Sequence, residues 1–437
     1  MTHPKIGFIG AVAFVVANMV GTGVFTSLGF QLVATENPTT ILLLWFLGAA
    51  VALVGATIYS ELATVMPRSG GEYVYLGRIF HPALGFMSGF VSLIVGFAAP
   101  AALASMAFGT YAAHLIPGLS ARVLAILVIV AITALHGSGV RLGVAFQTVS
   151  TALKIVLIGV FIACGLLLKS RQSALAFPVD ESLIRDLGNP AFAVSLIYVN
   201  YAYSGWNAAA YFANEIDQPQ RRLPAILGTA TAIVAVLYLL LNVTFMVSTP
   251  LSALKGQLDV GYIAAQHIFG PKGGTIMAAT IALLLVSSIS SLVFIGPRVM
   301  QVMGEDAHIL RWLKPRTSRG APLNAIVLQG AVALLLVISS TFDVVLVYVG
   351  FTLNLFTFLA ALGLFVHRAR YPNIERPYRA WGYPLVPLLF LGIMAWTLVF
   401  LLRERPLESI CGIVTALVGA ALFRVNALYF KKETGLA

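Results

Sequence analysis

The sequence predicts an all-α membrane protein with about twelve transmembrane helices, and three observations lead to this fold class. Of its 437 residues, 59% are hydrophobic and only 10% are charged, whereas soluble globular domains contain about 25% charged residues. Apolar segments of about 20 residues, the length needed to cross a membrane, recur along the whole chain. Basic residues gather in the short loops between these segments. A water-soluble fold is therefore excluded.

Twelve predicted spans follow from these apolar segments. They cover residues 6–30, 39–65, 82–113, 121–137, 143–168, 189–213, 223–248, 273–302, 322–340, 343–367, 383–402 and 407–429. The first is followed by further spans, so it is interpreted as a membrane segment and not as a signal peptide. Of the 27 lysines and arginines, 18 fall on the side of the N-terminus and 8 on the other side. This bias predicts that both termini are cytoplasmic.

The composition also limits the chemistry that the protein can perform. Cys164 and Cys411 lie inside apolar segments, where a free thiol behaves as a small hydrophobic side chain. The seven histidines fall in loops or near span ends and form no pair at helical spacing, so we expect no metal, no cofactor and no enzyme active site. The net charge of +11 comes from loops that membrane topology makes basic, so we expect lipid and not nucleic acid around the protein.

Two spans carry clusters of residues that weaken a helix. Span 1 contains Gly21, Thr22 and Gly23, and span 6 contains Ser204, Gly205, Trp206 and Asn207. Paired interruptions five spans apart are typical of an inverted repeat with broken helices at the midplane. Unwound backbone exposes N–H and C=O groups that need partners in the membrane, and a zwitterion could supply both kinds. Close helix packing is the alternative reading of the small residues.

Several motifs resemble those of one transporter family. They are VGTGVF in span 1, MPRSGGEYVYL after span 2, YAYSGWNAAAYFANEIDQPQRRLPAI in span 6, IGPRVM in span 8, and RGAPLNAI and RPYRAWGYPLVPLLF in later loops. In this order and spacing they resemble the amino acid-polyamine-organocation (APC) superfamily, and within it the L-amino-acid-transporter-like permeases. The resemblance covers nearly the whole chain.

The resemblance implies a leucine-transporter-like fold with broken helices 1 and 6. Two inverted five-helix repeats would occupy residues 1–168 and 189–367, and two peripheral helices with a cytoplasmic tail would occupy residues 380–437. Members of the family hold the substrate carboxylate on the span 1 break and its amino group on backbone carbonyls of spans 1 and 6. Carried over by position, the substrate-binding residues are Val20, Gly21, Thr22, Gly23, Tyr201, Ala202, Ser204, Gly205 and Asn207, with Tyr201 as an aromatic gate.

Lys154 is a basic residue inside span 5. It lies 11 residues beyond Gly143, or about 16 Å along a helix, near the centre of a hydrocarbon layer ~30 Å thick. A lone charge there is costly unless it is paired. The resemblance implies that Lys154 replaces the sodium ion of sodium-coupled relatives by bonding to span 1 carbonyls near Val20 and Gly21 and to span 8 hydroxyls. Ser288 and Ser291 are the favoured serines, unless they bond only to their own helix.

These features predict a sodium-independent exchanger of neutral L-amino acids in a bacterial inner membrane. No acidic residue lies near mid-depth in spans 1, 3, 6, 8 and 10, so a cationic side chain would lack a counter-ion. A proton-coupled symporter remains open because a buried lysine can release its proton, and a cationic amino acid or polyamine carrier and a non-transporting sensor are weaker alternatives. The loop at 114–122 contains no cysteine, so we expect no disulfide-linked heavy chain and a monomer or weak homodimer.

Overall fold

A computed structural model describes residues 6–138, 144–168, 179, 181–314 and 321–434 of the chain. The described residues form helices and the loops that join them, with one isolated bridge between Ile6 and Ile216. The α-helices are α1 Phe8–Met19, α2 Gly23–Ala34, α3 Pro38–Val65, α4 Glu72–Ile79, α5 Pro82–Val91, α6 Ala99–Ala113, α7 Ala121–Gly137, α8 Val144–Leu167, α9 Glu181–Leu187, α10 Pro190–Tyr203, α11 Ala208–Tyr211, α12 Pro219–Ser248, α13 Leu251–Leu254, α14 Val260–Asp306, α15 Leu323–Ser339, α16 Phe342–Arg370, α17 Leu385–Glu404 and α18 Pro406–Thr434.

Within the described ranges, nine helical segments are long and apolar enough to cross a membrane. The shorter apolar helices α7 and α15, together with the broken pair α10 and α11, bring the number of spans to twelve and confirm the predicted all-α membrane fold. Spans 1 and 6 each consist of two helices, α1 with α2 and α10 with α11, and span 3 joins α5 to α6. Spans 2, 4, 5 and 7 to 12 are α3, α7, α8, α12, α14, α15, α16, α17 and α18. The predicted start of span 5 at residue 143 and the tail residues 435–437 lie outside the described residues.

Local sequence signals set several helix starts and distortions. The Asn37 side chain accepts a hydrogen bond from Thr39 N at 2.8 Å and caps α3, where proline follows at the first helical position. Span 3 contains a π-helical turn at Ser92–Ala98, because Pro100 lacks an N–H and its ring clashes with the preceding turn. Within α14, Gly270 has φ of 76° and is followed by a proline, so span 8 proper begins after this bend.

Spans in the first half of the chain pack against spans five positions later. The packed pairs are spans 2 and 7, spans 3 and 8, and α2 of span 1 with α10 of span 6. Spans 4 and 9 pack together in the same way. Such pairing is what two structurally equivalent halves would give, while the assignment of residues 1–168 and 189–367 to inverted repeats stays a prediction. The arrangement brings the two broken spans face to face.

Candidate functional site

Both predicted interruptions are non-helical in the structure. Helix α1 ends at Met19 and α2 begins at Gly23. Val20, the first residue after α1, has φ of −76° and ψ of 86°, which is not a helical conformation. In span 6, α10 ends at Tyr203 and four residues in turn conformation precede α11. Gly205 in this turn has φ of 95°, a left-handed conformation that strains any residue with a Cβ. Each span is therefore two half-helices joined by exposed backbone.

The breaks leave peptide groups without backbone partners. At the start of α2, the N–H groups of Thr22, Gly23 and Val24 donate to no backbone carbonyl of the described chain. At the end of α10, the carbonyls of Ala202, Tyr203 and Ser204 likewise accept no backbone N–H from the residues described. Where the two breaks meet, α2 thus presents N–H donors with positive partial charge and α10 presents carbonyl acceptors with negative partial charge.

Close contact between the two spans holds the breaks together. A Cβ added to Gly23 would lie 2.5 Å from Ala202 Cα, so only glycine allows α2 to approach α10 this closely. A Cβ added to Gly205 would lie 3.0 Å from the Asn18 carbonyl. The hydroxyl oxygens of Tyr201 and Thr22 are 3.3 Å apart and bridge the two breaks. The glycines therefore have both roles considered from sequence, since they interrupt the helices and pack them.

Two side chains bind the exposed carbonyls at the end of α1. The Tyr238 hydroxyl of span 7 donates to Met19 O at 2.6 Å. Lys154 Nζ of span 5 donates to Val20 O at 3.3 Å and to the Ser288 hydroxyl of span 8 at 2.7 Å. A cation at a helix C-terminus is favourable because the helix dipole is negative there. Lys154 is 2% exposed, so these oxygens replace its hydration.

A cavity of about 1820 Å³ surrounds the breaks. Its wall includes eight of the nine predicted substrate residues, namely Gly21, Thr22, Gly23, Tyr201, Ala202, Ser204, Gly205 and Asn207, together with Ser288 and Ser291. The ninth, Val20, meets Lys154 instead. Ser291 shares the cavity wall, but the described bonds of Lys154 go to Val20 and Ser288.

The cavity opens on one side of the molecule. Its mouth contains Arg68, Glu215 and Glu305, which lie after spans 2 and 6 and at the end of span 8. We name this the inner side, because the charge bias predicts that it is cytoplasmic. Described residues of the opposite loops, at 114–120, 249–259 and 340–341, do not line the cavity. This second side is named the outer side.

Glu72 is a buried carboxylate that sequence reasoning missed. It begins α4 in the loop after span 2, is 5% exposed and lines the cavity. Its oxygens accept hydrogen bonds from Tyr59 Oη at 2.6 Å, from Asn207 Nδ2 at 2.9 Å and from the Tyr211 hydroxyl. The predicted polar contact Asn207 is thus anchored by Glu72. The motif GGEYVYL could have indicated it, since an acidic residue beside two glycines and an apolar run is unusual.

The inner mouth carries further anchors between loops and spans. Burial and the Asp306 carboxylate, which accepts a hydrogen bond from the Tyr73 hydroxyl at 2.7 Å, raise the pKa of Tyr73, so this phenol is neutral at physiological pH. Glu61 is 1% exposed and binds Arg368 through both carboxylate oxygens, at 2.8 and 2.5 Å. It also accepts Ala380 N at 2.6 Å. Glu61 therefore fixes the loop before span 11 and lies outside the cavity wall.

Twelve spans around a cavity with two broken helices define a multi-pass membrane permease. A model of the amino acid permease family matches residues 6–420, and the chain belongs to this family within the APC superfamily. The family consists of permeases and not of enzymes.

Three relatives illustrate the family. The b(0,+)-type amino acid transporter 1 of Homo sapiens is 28% identical over 439 residues, which cover 98% of this chain and 88% of the relative. The Asc-type amino acid transporter 1 of Mus musculus is 26% identical, with 98% and 82% covered. The large neutral amino acids transporter small subunit 2 of Homo sapiens is 25% identical, with 98% and 81% covered.

Proposed function

We propose that this permease is a sodium-independent exchanger of neutral L-amino acids that works by alternating access. The observation that carries the proposal is the junction of the two broken spans, where unpaired N–H groups face unpaired carbonyls. A zwitterion matches this junction in both charge and hydrogen bonding. The names of the three relatives, all amino acid transporters, support the same substrate class.

The substrate carboxylate would bind at the start of α2. Thr22, Gly23 and Val24 offer three N–H groups at the positive end of a helix dipole, which is a common anion site. The substrate ammonium would bind the carbonyls that end α10, at Ala202, Tyr203 and Ser204. Tyr201 would cover the substrate, since its hydroxyl already bridges to Thr22. A substrate bound in this way connects both broken spans.

Lys154 would take the place of a coupling sodium ion. Its ammonium is bound to a span 1 carbonyl and a span 8 hydroxyl, which are oxygen ligands of the kind that a sodium ion would use. A fixed cation removes the need for an ion to enter with each substrate, and this favours sodium-independent exchange. Because both described partners of the ammonium are neutral oxygens, it can also release its proton, so proton-coupled symport is the second candidate.

Neutral substrates fit the charges of the cavity. Glu72, the carboxylate bonded to Asn207 of the span 6 break, already accepts three hydrogen bonds from protein groups, which leaves little hydrogen-bonding capacity for a cationic side chain of the substrate. The inner opening of the cavity is consistent with both termini in the cytoplasm of a bacterium. We further propose two inverted repeats, at 1–168 and 189–367, and a chain that works without a disulfide-linked heavy chain, as a monomer or weak homodimer.

Uptake by purified protein in liposomes tests the proposal. The vesicles are loaded with unlabelled alanine or left empty, and labelled alanine is added outside with and without sodium and with and without a pH gradient. Exchange predicts uptake that requires internal alanine and ignores sodium. Uptake into empty vesicles driven by the pH gradient would instead establish proton symport. If no amino acid enters under any of these conditions, the carrier proposal is wrong and a sensor is favoured.

A further inference from the structure

An outer lid joins span 1 to span 3 on the closed side of the molecule. We give this name to residues 249–262, which follow span 7 and comprise α13, a short loop and the start of α14. Helix α13 packs on α2. Gly256 N donates to Gly29 O of α2 at 2.8 Å, and a Cβ added to Gly29 would lie 1.9 Å from Gln257 O. The lid is therefore held on span 1 by main-chain atoms in direct contact.

The other end of the lid is bound to span 3 by a histidine and a carboxylate. His114 is the residue that directly follows α6, and its Nε2 lies 2.6 Å from Asp259 Oδ2. The imidazole stacks on the ring of Tyr262 with centroids 3.7 Å apart. This stack fixes the ring in the orientation that points Nε2 at the carboxylate.

Opening of the outer side would separate the lid from span 3. The Tyr111 hydroxyl of span 3 donates to Phe25 O of α2 and accepts an N–H from the lid, so it holds all three parts together. Gly256, held by α2, and Asp259, held by His114, are three positions apart, and the chain between them spans at most about 10 Å. Because the lid packs on α2 through its main chain, we expect it to follow α2 and to leave His114.

The strength of the contact with span 3 depends on the charge of His114. A protonated imidazole forms an ion pair with Asp259, whereas a neutral imidazole can only donate one hydrogen bond to it. His114 also lies at the C-terminal end of α6, where the helix dipole favours a positive charge. The side chain of His114 is 30% exposed and that of Asp259 is 12% exposed. Protons of the external solution therefore reach the imidazole, while the carboxylate is largely shielded from water.

The surroundings of His114 contain few other groups that carry or exchange a proton. On the described elements that pack around it, the charged and titratable residues are Asp259, Tyr262, Tyr111, Arg122, Lys255 and Glu36. Lys255 and Glu36 pair with each other at 2.6 Å at the edge of the lid. Among these side-chain types, histidine is the one whose charge ordinarily changes between about pH 5 and 8. A pH dependence of the lid in this range would therefore come from His114.

We propose that His114 and Asp259 form a sensor of external pH that holds the outer side closed when the imidazole is protonated. The inference rests on the alternating access of the proposed function. Acid outside favours the ion pair and with it the outer-closed state, whereas alkaline solution weakens the pair and lets the lid follow α2. Because external substrate binds only when the outer side is open, the apparent KM for external substrate rises as external pH falls. Proton symport predicts the opposite sign, since acid outside would then favour uptake.

Alanine exchange at varied external pH tests the sensor. Right-side-out membrane vesicles are loaded with unlabelled alanine at one fixed internal pH, and labelled alanine is added at external pH between about 5.5 and 8. We expect the external KM of wild type to rise about twofold to fivefold toward the acidic end, the range for a partly exposed ion pair. In His114→Gln, which keeps a donor for Asp259 but gains no proton, the KM should not depend on external pH. Asp259→Asn should remove the dependence as well.

A second histidine of the same segment provides the matched control. His267 lies further along α14, is exposed, and its Nδ1 is 2.9 Å from Ile263 O of its own helix. His267→Gln should therefore keep the pH dependence of wild type. The sensor is overturned if wild type and His114→Gln show the same dependence, or if the external KM of wild type falls toward acid.

Cysteine labelling tests the same closure without transport. Ala107 lies one turn before Tyr111 on the same face of span 3 and is fully buried. Ala107→Cys, in a chain whose Cys164 and Cys411 are replaced by alanine, is labelled from outside with a membrane-impermeant maleimide, with and without His114→Gln. Comparison of the two chains at one pH cancels the pH dependence of the thiol. Labelling should be about twofold to fivefold faster with His114→Gln at acidic pH and equal at alkaline pH.

The two measurements separate the sensor from the carrier proposal. A protein that moves no amino acid but shows the difference in labelling overturns the carrier proposal and supports the sensor. A protein that exchanges alanine but shows no difference in labelling and no pH dependence of the external KM overturns the sensor alone.

Discussion

The outer half of span 1 touches span 3, whereas its inner half faces spans 3 and 8 across the cavity. On the outer side, Tyr111 of span 3 donates to Phe25 O of α2 at 3.2 Å and accepts Gly261 N at 3.2 Å. On the inner side, residues of α1 and α11 form one wall, and residues of spans 3 and 8 form the other. The two halves of span 1 therefore differ, because α2 contacts span 3 directly whereas the cavity separates α1 from spans 3 and 8.

Aromatic packing and an ion pair close the outer side. Phe30 of α2 stacks on Phe342 with ring centroids 5.8 Å apart. Tyr198 of α10 donates to Asp343 at 2.6 Å, and Asp343 also pairs with Arg405 in the link between spans 11 and 12. The peripheral helices thus contribute to closure. The proposed alternating access would exchange the contact of α2 with span 3 for contacts of α1 across the cavity.

The largest loss of exchange activity is expected from a substitution at the break in span 1, where α1 meets α2. Lys154→Ala removes the cation that joins the end of α1 to span 8, and we expect exchange to fall about tenfold to hundredfold, the range for bonds to a charged group. The protein should still reach the membrane. The control is Lys255→Ala, which removes an exposed lysine paired with Glu36 on the outer side. Normal exchange by the Lys154 variant would show that this contact is not required.

The next largest effect, a loss of stability, is expected from a substitution that pushes α2 away from α10. Gly23→Ala places a methyl group against Ala202 and should lower the free energy of unfolding by about 1–3 kcal/mol, the usual cost of overpacking. Thermal unfolding in detergent measures this change. Gly159→Ala in span 5 is the control, because a Cβ there meets nothing within 4 Å. Equal stability of the two variants would contradict the close contact of α2 with α10.

A smaller effect, on the KM for internal substrate, is expected from a substitution on the inner side. Glu72→Gln removes the charge that holds Asn207 and Tyr211, so the span 6 break loses its anchor. We expect the KM for internal alanine to rise about fivefold, which corresponds to about 1 kcal/mol, because the carboxamide oxygen still accepts hydrogen bonds but no longer carries a charge. Exchange measured with varied internal and fixed external alanine gives this value.

The control for Glu72→Gln is Glu305→Gln, which removes the same charge at the cavity mouth. Glu305 accepts a hydrogen bond from Gln301 of its own helix and is exposed. If both variants raise the internal KM equally, the effect comes from cavity charge and not from the anchoring of span 6.

The smallest effect, a change in the rate of cysteine labelling from the outer side, is expected when the ion pair of Asp343 with Arg405 is removed. Asp343→Asn should increase the rate at which a cysteine at Ser27→Cys reacts with a membrane-impermeant maleimide from outside, by about twofold to fivefold, as for a partly exposed ion pair. Cys164 and Cys411 are first replaced by alanine. Glu36→Gln, an exposed outer carboxylate, is the control. An unchanged rate in the Asp343 variant would show that the aromatic stack alone closes this side.

The span positions could be predicted from sequence because hydrocarbon requires long apolar segments. The breaks could be predicted too, since Gly21 and Gly205 are local signals that weaken a helix. Lys154 stands out because a charge at that depth needs partners, and its placement beside Ser288 is implied by the family resemblance and not by a local signal. The functional roles of these residues stay predictions.

Other parts of the site depend on contacts that no local pattern encodes. Tyr238 looks like a core aromatic residue until the end of α1 is placed against its hydroxyl, 219 positions away. Glu72 belongs to a polar loop, and its burial arises because α4 folds back against span 6. On the outer side, the pairing of His114 with Asp259, 145 positions away, likewise becomes visible only when the lid is in place against span 3.

The bridge at Ile6 has a consequence for how the inner side can move. Ile6 N donates to Glu215 O at 2.7 Å and Asp217 N donates to Ile6 O at 3.1 Å, while Phe14 packs on the Phe212 ring at 4.6 Å. The segment before α1 is thereby joined to the segment after α11 by main-chain hydrogen bonds, which only a substitution to proline would remove directly. In the proposed alternating access, a movement of α1 would therefore carry α11 with it, and the two breaks are the points at which these half-helices could bend relative to α2 and α10.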